Sequence, residues 1–228
     1  MLEKFIRNNF LEINDWRGIE KAQFRIMNDC YKNNYDKFEW LIFYDIDEFI
    51  FLRYYRNIKE FLCQTKFDKC EKIQLNWIHR FEDRETLFYE NKSLLIRFPN
   101  KERNILKKNF YPQIKSILRG HIPNLSIGCI HNLVNNLESC NGFGKKSHLN
   151  GINTIEPDFK NNYINHYYGK SLEEFVEKVK NGCAALGKTN ITMIAKIIRY
   201  FEIYNKTEIK IRYIENKTGL NLSIIRNQ

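Results

Sequence analysis

Two aspartates one residue apart, Asp45 and Asp47, close the apolar run Trp40-Leu-Ile-Phe-Tyr44 and are followed by Glu48. A short apolar run bounded in this way reads as a buried strand. Carboxylates at the carboxyl end of such a strand stand where open α/β sheets bind their ligands. Successive strand side chains point to opposite faces, so the spacing predicts that Asp45 and Asp47 share one face. Two like charges on one face repel each other unless a cation lies between them, and an all-oxygen pair suits a hard divalent ion. The pattern also fits two solvated acids opening a loop. Eight aspartates in 228 residues produce roughly 0.3 such pairs by chance, so the pair alone decides nothing.

A second set of candidates lies late in the chain, in Asn165-His-Tyr-Tyr-Gly-Lys-Ser171. Tyr163–Tyr168 reads as a strand with His166 near its end. There His166 is either a structural histidine or a further metal ligand, and an imidazole favours Mn²⁺ over Mg²⁺. Ser171-Leu-Glu-Glu174 has the S-x-x-E form of a capping box. Lys170 therefore precedes a helix start, where backbone N–H groups and the helix dipole also favour anions. A solvated lysine is the plain alternative.

The elements that must position these groups follow from periodicity. Ile19, Ala22, Ile26, Met27 and Cys30 predict a helix over about 18–33, after a short strand at Phe10–Ile13. A short helix near Ile58–Leu62 follows the acidic loop. Strands are expected at Lys72–Trp77, Ser93–Phe98, Gln113–Leu118 and Leu125–Ile130. Asn141-Gly-Phe-Gly144 and Asn150-Gly151 read as turns. Leu172, Phe175, Val176, Val179, Cys183 and Leu186 form one helical stripe, and residues 191–204 form another. The order is strand-helix-strand first, strand-rich later and helical at the end, which predicts an α/β domain with a mixed sheet.

Composition narrows the function classes. Hydrophobic residues make up 43% of the chain, enough for a core, which excludes a disordered chain. No apolar run is long enough to span a membrane, and the first residues show no apolar signal-peptide core, so a cytoplasmic location is expected. The six cysteines show no metal-finger spacing and are expected to be small buried hydrophobes in a reducing compartment. The net charge of +10 favours anionic partners without choosing among them. No basic run is interleaved with aromatics in a nucleic-acid-binding pattern. A phosphatase with Asp-x-Asp after its first strand would need a later acidic pair, and after Asp83 the only aspartate is Asp158.

Several stretches resemble glycosyltransferase family 92 and its family 2-like relatives. They are Trp16–Gln23 with Asn28-Asp-Cys30, Trp40–Phe49, Leu75-Asn-Trp77, Lys115–Arg119 with His131, and Asn165–Phe175 with Glu177-Lys178. The resemblance runs in order over roughly residues 10–185. It implies a partial A-type glycosyltransferase domain, a Rossmann-like mixed sheet, over residues 1–189, with a basic C-terminal helical extension over 190–228. It implies a hexosyltransferase, inverting, that uses a nucleotide-sugar donor and a glycan or lipid-linked saccharide acceptor. Asp45 and Asp47 would hold Mn²⁺ or Mg²⁺ against the donor diphosphate, with His166 as a further ligand. Lys115 and Lys170 are the matching candidates for binding the donor. An inverting enzyme also needs a carboxylate base. Asp83, with Glu82 beside it, is the nearest candidate, although both also read as exposed loop acids. Trp77 either stacks on an acceptor sugar or belongs to the core.

The chain departs from the family pattern after Asn76-Trp77, where Ile-His-Arg-Phe-Glu-Asp-Arg-Glu replaces the Phe-Gly turn the family tends to show. It departs again at the front. One βαβ unit needs about 30 residues, and 44 residues precede Asp45. The front of the nucleotide-binding half is therefore expected to be missing. That would leave an open strand edge at 10–13, little nucleobase binding and little transferase activity by the chain alone. The basic tail is expected to dock on the domain, either as a plain packing helix or also touching an anionic membrane where lipid-linked acceptors lie. An inactive transferase remnant and a nucleic-acid-binding module, with no specific sequence signature, stand as alternatives.

Overall fold

A computed structural model of the chain describes residues 2–19, 22–81, 90–101, 113–129, 131–147, 149–150, 153–154, 157–168, 170–181, 208–219 and 221. In chain order the elements are α1 (Glu3–Arg7), α2 (Ala22–Asn34), β1 (Trp40–Ile42), β2 (Glu48–Leu52) and α3 (Ile58–Leu62). There follow a 3₁₀ turn (Thr65–Phe67), β3 (Lys72–Phe81), α4 (Leu94–Arg97), β4 (Asn100–Lys101), β5 (Ile114–Arg119) and β6 (Ser139–Asn141). The last are β7 (Leu149–Asn150), β8 (Asn153–Thr154), β9 (Asn162–His166), α5 (Leu172–Asn181) and α6 (Glu208–Thr218). The fold is mixed α/β, as the sequence predicts.

The sheet runs β1-β5-β3-β9-β2, with β4 and β6 also pairing with β3. β3 is antiparallel to β5 and parallel to β9 and β6, so the sheet is mixed. β2 closes one edge, antiparallel to β9, with Glu48 opposite His166 and Ile50 opposite Ile164. Side-chain alternation along these strands sorts the core into two layers. Ile73, Leu75 and Trp77 of β3, Ile117 of β5 and Ile164 of β9 pack with Phe61 and Phe67 on one face. On the other face Leu41 and Leu118 pack with Met27 and Tyr31 of α2.

Several sequence expectations change. Phe10–Ile13 is not a strand, and Phe10 is 82% exposed. Helix α2 forms as expected, but it buries Ala22, Met27 and Tyr31 and leaves Ile19, Ile26 and Cys30 at the surface. Ser93–Phe98 is a helical turn rather than a strand. Ser93 caps it by accepting a hydrogen bond from Leu95 N at 3.3 Å, and a run of three apolar residues has no period to tell the two apart. The segment from Leu125 forms no strand in its described part. The backbone of Ile127 is bonded in both directions by the Asn28 amide, at 2.8 and 2.9 Å, which replaces a ladder. The turn at Asn141–Gly144 forms, with Asn141 Oδ1 accepting from Phe143 N and Lys145 N. Gly144 takes a φ of +78°, and a Cβ there would lie 2.6 Å from the Lys66 carbonyl oxygen. Asn150–Asn153 closes the small β7–β8 hairpin. The strand β2 has no counterpart in the sequence reading, because Glu48–Leu52 was absorbed into the acidic loop. Of the C-terminal extension, α6 packs on α5 with Ile214 fully buried, whereas the expected helix at 191–204 lies outside the described residues. No described helix is long and apolar enough to cross a membrane.

Helix α5 is anchored as the capping box predicts. Ser171 Oγ accepts from Glu174 N at 3.3 Å, and Glu174 Oε2 accepts from Ser171 N at 3.1 Å and from Ser171 Oγ at 2.8 Å. Arg97, buried at the end of α4, donates to both Glu174 oxygens. Burial works against the Glu174 charge, and the Arg97 and Ser171 hydrogen bonds outweigh it, so its carboxyl is held below the ordinary range. The helix N-terminus thus already carries its own carboxylate.

Two cysteines correct the sequence reading. Cys70 and Cys140 form a disulfide that ties the entry of β3 to β6 inside the core. Such bridges persist in oxidising compartments, which sets this pair against the reducing compartment expected from cysteine spacing. The bridge closes a sequence separation of 70 residues, and cross-linking a loop of that length stabilises by about 4 kcal/mol on chain-entropy grounds. Peptide mapping without reductant should recover Cys70 linked to Cys140, and reduction should lower urea stability by roughly 2–4 kcal/mol. Free thiols at both positions in the folded protein would refute the pairing.

The opposite face of β3 buries a cation. Lys72 is 1% exposed and donates to Asn132 Oδ1 and the Val134 carbonyl, each at 2.5 Å, with Gln74 also donating to Asn132. Burial lowers its pKa from 10.5 to about 8. Between those values the folded chain has released a proton that the unfolded chain keeps, so stability rises with pH across that window. The stability of wild type relative to Lys72→Met should therefore climb by roughly 2–4 kcal/mol from neutral pH to above 10.5. Urea denaturation at a series of pH values checks this, and a flat difference would mean that Lys72 titrates normally.

Candidate functional site

The row of core side chains on the α3 side of the sheet turns polar toward one end. Glu48 continues the row of Ile50 and Leu52, His166 continues Ile164, His79 continues Trp77, and Lys115 continues Ile117. The alternation that builds the core therefore delivers two histidines, a carboxyl and an ammonium to one place. Trp77 lies among them, its ring centroid 4.2 Å from that of His166, 4.8 Å from that of His131 and 6.0 Å from that of His79. It is a core residue and offers no open ring to an acceptor.

Asp45 and Asp47 do not sit on a strand. β1 stops at Ile42, and Asp45-Ile-Asp-Glu48 is a β-turn in which Glu48 N donates to the Asp45 carbonyl at 3.0 Å. Ile46 at its tip is 94% exposed. The shared-face argument from strand alternation therefore does not apply, and the two carboxylates turn to different partners. Asp45, half-exposed, accepts from Lys115 Nζ at 3.1 Å. Asp47 is buried and accepts from Lys178 Nζ at 3.0 Å. Lys170 Nζ lies 3.7 Å from the same oxygen, and His166 Nε2 lies 3.7 Å from the other. The structure thus joins Asp47 to His166 across 119 residues of sequence, through the β2–β9 register and the Tyr167 N to Asp47 carbonyl bond of 2.9 Å.

Lys170 holds its place with a φ of +55°, a backbone conformation that costs a non-glycine residue on the order of 1 kcal/mol or more. Lys178 reaches the site from the second turn of α5. Its ammonium also meets the Tyr168 carbonyl at 3.4 Å and lies 4.4 Å from the centre of the Tyr168 ring. Lys115 is all but fully buried and bridges Asp45 to Glu48, 3.4 Å from Glu48 Oε1. The Glu48 side chain has no exposed surface. Burial raises its pKa from 4.5 to about 8, against the lowering pull of Lys115, so it holds a proton at neutral pH. Three ammonium groups then face two ionised aspartates, and the site carries a net positive charge.

Two of these residues escaped sequence reasoning. Glu48 adjoins the aspartates and was readable as a further loop acid. Lys178 lies seven residues beyond Ser171, two helical turns along one face, which is the signal that it returns to the start of the helix. Asp83 and Glu82 lie outside the described residues. Asp158, the residue a phosphatase would need, spends its oxygens on the backbone N–H groups of Lys160, Asn161 and Asn162 at 2.9–3.0 Å. It organises the turn into β9 and is not a second metal-binding acid.

Asp47 Oδ1 and His166 Nε2 are 3.7 Å apart, a span that two ligands each about 2.1 Å from one ion can bridge. No group of three His, Cys, Asp or Glu side chains able to hold a metal occurs among the described residues. An ion held by these two donors would need phosphate oxygens and water to complete its shell, the usual arrangement where one or two carboxylates meet a substrate phosphate.

The profile of glycosyltransferase family 92 matches residues 1–200 of the chain. No match was found among curated proteins. The family match covers most of the sequence, agrees with the α/β fold and takes in every residue of the site just described. The chain therefore belongs to glycosyltransferase family 92, and its class of chemistry is glycosyl transfer.

Proposed function

We propose that the protein transfers a hexose from a nucleotide-sugar donor to a glycan or lipid-linked acceptor, with Mn²⁺ or Mg²⁺ bound at Asp47 and His166 and with Asp45 turning to it from Lys115. The observation that carries this reading is the meeting of Asp47 with His166 and two lysines at the end of the sheet. A bound divalent ion would supply Lewis-acid stabilisation of the departing diphosphate. The chain's own residues do the rest. Lys170 and Lys178 carry positive charge to where the leaving group's negative charge grows. Lys115, buried beneath Asp45 and Glu48, holds the Asp45 carboxylate in orientation. The imidazole of His166 is steadied by Trp77 and His79, its ring centroid 5.1 Å from that of His79.

Asp83 is the proposed general base of an inverting reaction, taking the acceptor hydroxyl proton as that oxygen attacks the anomeric carbon. A lipid-linked acceptor would bring this basic chain to an anionic membrane surface, where each nearby Lys or Arg adds on the order of 1 kcal/mol. Family membership favours the transferase reading over a nucleic-acid-binding module.

Isothermal titration of UDP with and without Mn²⁺ tests the metal reading. Mn²⁺ should strengthen UDP binding, and Asp47→Asn should remove at least roughly 1.4 kcal/mol of that gain, a tenfold loss. Asp45→Asn should act in the same direction and more weakly, because Asp45 is half-exposed. Equal Mn²⁺ dependence in wild type and both variants would sink the reading.

A further inference from the structure

Asp47 is a single buried carboxylate with two ammonium groups against one of its oxygens. One lysine would be enough to neutralise it. The second leaves an excess of positive charge beside a group that, on the reading above, has to receive a divalent cation. A cation cannot approach Asp47 while both ammonium groups stay, because like charges at such distances repel by several kcal/mol in a partly buried setting. The two lysines differ in how they are held. Lys170 stands just before α5 with a backbone φ of +55°, and its ammonium is 3.7 Å from Asp47. Lys178 is a long side chain on α5, about one-third exposed, and beyond Asp47 it meets the Tyr168 carbonyl at 3.4 Å and the Tyr168 ring. It can leave Asp47 without unfolding anything.

We propose that Lys178 is an exchangeable counter-ion: it occupies Asp47 in the free protein and moves to the donor's diphosphate when the divalent cation takes its place. The exchange keeps the charge balanced. The cation neutralises Asp47, the released ammonium neutralises a phosphate oxygen, and neither ligand binds well without the other. A free divalent ion must displace Lys178 without compensation, whereas an ion arriving with a diphosphate gives the ammonium a new partner. The site therefore selects the metal–diphosphate complex over the free metal, and Lys178 sets that preference. This inference rests on the metal reading given under Proposed function, and it adds a residue and a coupling that the reading does not contain.

Mn²⁺ binding followed by the electron paramagnetic resonance of the free ion, alone and with UDP or inorganic pyrophosphate, tests it on the full chain. Wild type should bind Mn²⁺ weakly alone and much more tightly with either diphosphate. Lys178→Gln should bind Mn²⁺ alone roughly tenfold more tightly, and pyrophosphate in saturating Mn²⁺ roughly tenfold more weakly, each about 1.4 kcal/mol. Lys178→Arg should restore pyrophosphate binding. Far-UV circular dichroism confirms that the variants fold, and Lys170→Gln provides a second variant, expected to weaken pyrophosphate binding with a smaller gain for Mn²⁺ alone. Effects of opposite sign on the two ligands support exchange, because a merely structural lysine would weaken both. Loss of both affinities in a folded Lys178→Gln, or no change in either, overturns the exchange while leaving the metal reading intact. Absence of Mn²⁺ binding by wild type even with UDP overturns the metal reading, and the exchange with it.

Discussion

The antiparallel register of β2 on β9 is the constraint on which the site depends. Glu48 faces His166 across this pair, and the Tyr167 amide closes onto the Asp47 carbonyl. Because strand side chains alternate with a period of two, a slip of one residue would send Glu48 to the opposite face and exchange it for Phe49. Phe49 and Phe51 rest against Tyr167 and Tyr163 on that other face, with ring centroids 5.6 and 4.7 Å apart. These aromatic pairs and the burial of Ile50 and Leu52 hold the register from both sides. The same pairing that fills the core thus aims the acidic turn at the end of β9 and the start of α5.

Charge is the second organising feature, and it is solved locally rather than by exposure. Lys115, Lys72 and Arg97 are all buried, and each is met by oxygen acceptors from a different element: Asp45 and Glu48, Asn132 and Val134, and Glu174. A buried ion pair is weak evidence for stability, since desolvation offsets much of its attraction. Its value here is geometric. Arg97 and Glu174 tie α4 to the first turn of α5, and that turn places Lys170 and, two turns later, Lys178. The carboxylate occupying the N-terminus of α5 is the protein's own Glu174, so the anion-binding capacity of this region resides in lysine side chains and not in the helix dipole.

Periodicity made the sheet and its helices largely legible. β3, β5, β9, α2, α3 and the capping box of α5 stand close to where the hydrophobic pattern puts them. It failed where a local polar contact decided the conformation. Ser93 turned an aperiodic apolar run into a helix, and Asn28 satisfied the backbone near Ile127 without a strand. β2 was hidden because its first residue is the third acid of an acidic cluster and its outward residues are phenylalanines, so neither polarity nor alternation marks it. For the site, residue types picked out side chains that the fold brings near one another, but by a wrong geometric argument: Asp45 and Asp47 lie in a turn and face different lysines. Glu48 and Lys178 required three-dimensional placement, because a buried carboxyl and a returning helix lysine look like surface charges in a sequence.

A site that supplies its own counter-ions keeps the free protein folded without ligand. Unpaired, the buried Asp47 would cost several kcal/mol, and the two lysines remove that cost before any substrate arrives. On the proposed reading each ligand contact would have to replace an internal one, so the net gain per contact would be small and would depend on all partners being present together. The strained backbone of Lys170 acts in the same sense. Its left-handed φ is a standing cost, which the surrounding helix cap and the β2–β9 pairing offset. Stability is given up at the residues that face the ligand and recovered in the row of apolar side chains behind them, from Ile50 and Ile164 to Ile73 and Ile117. The polar end and the apolar end of one sheet face are in this sense a single structure, because the core supplies the rigidity that lets the site hold charges in unfavourable places.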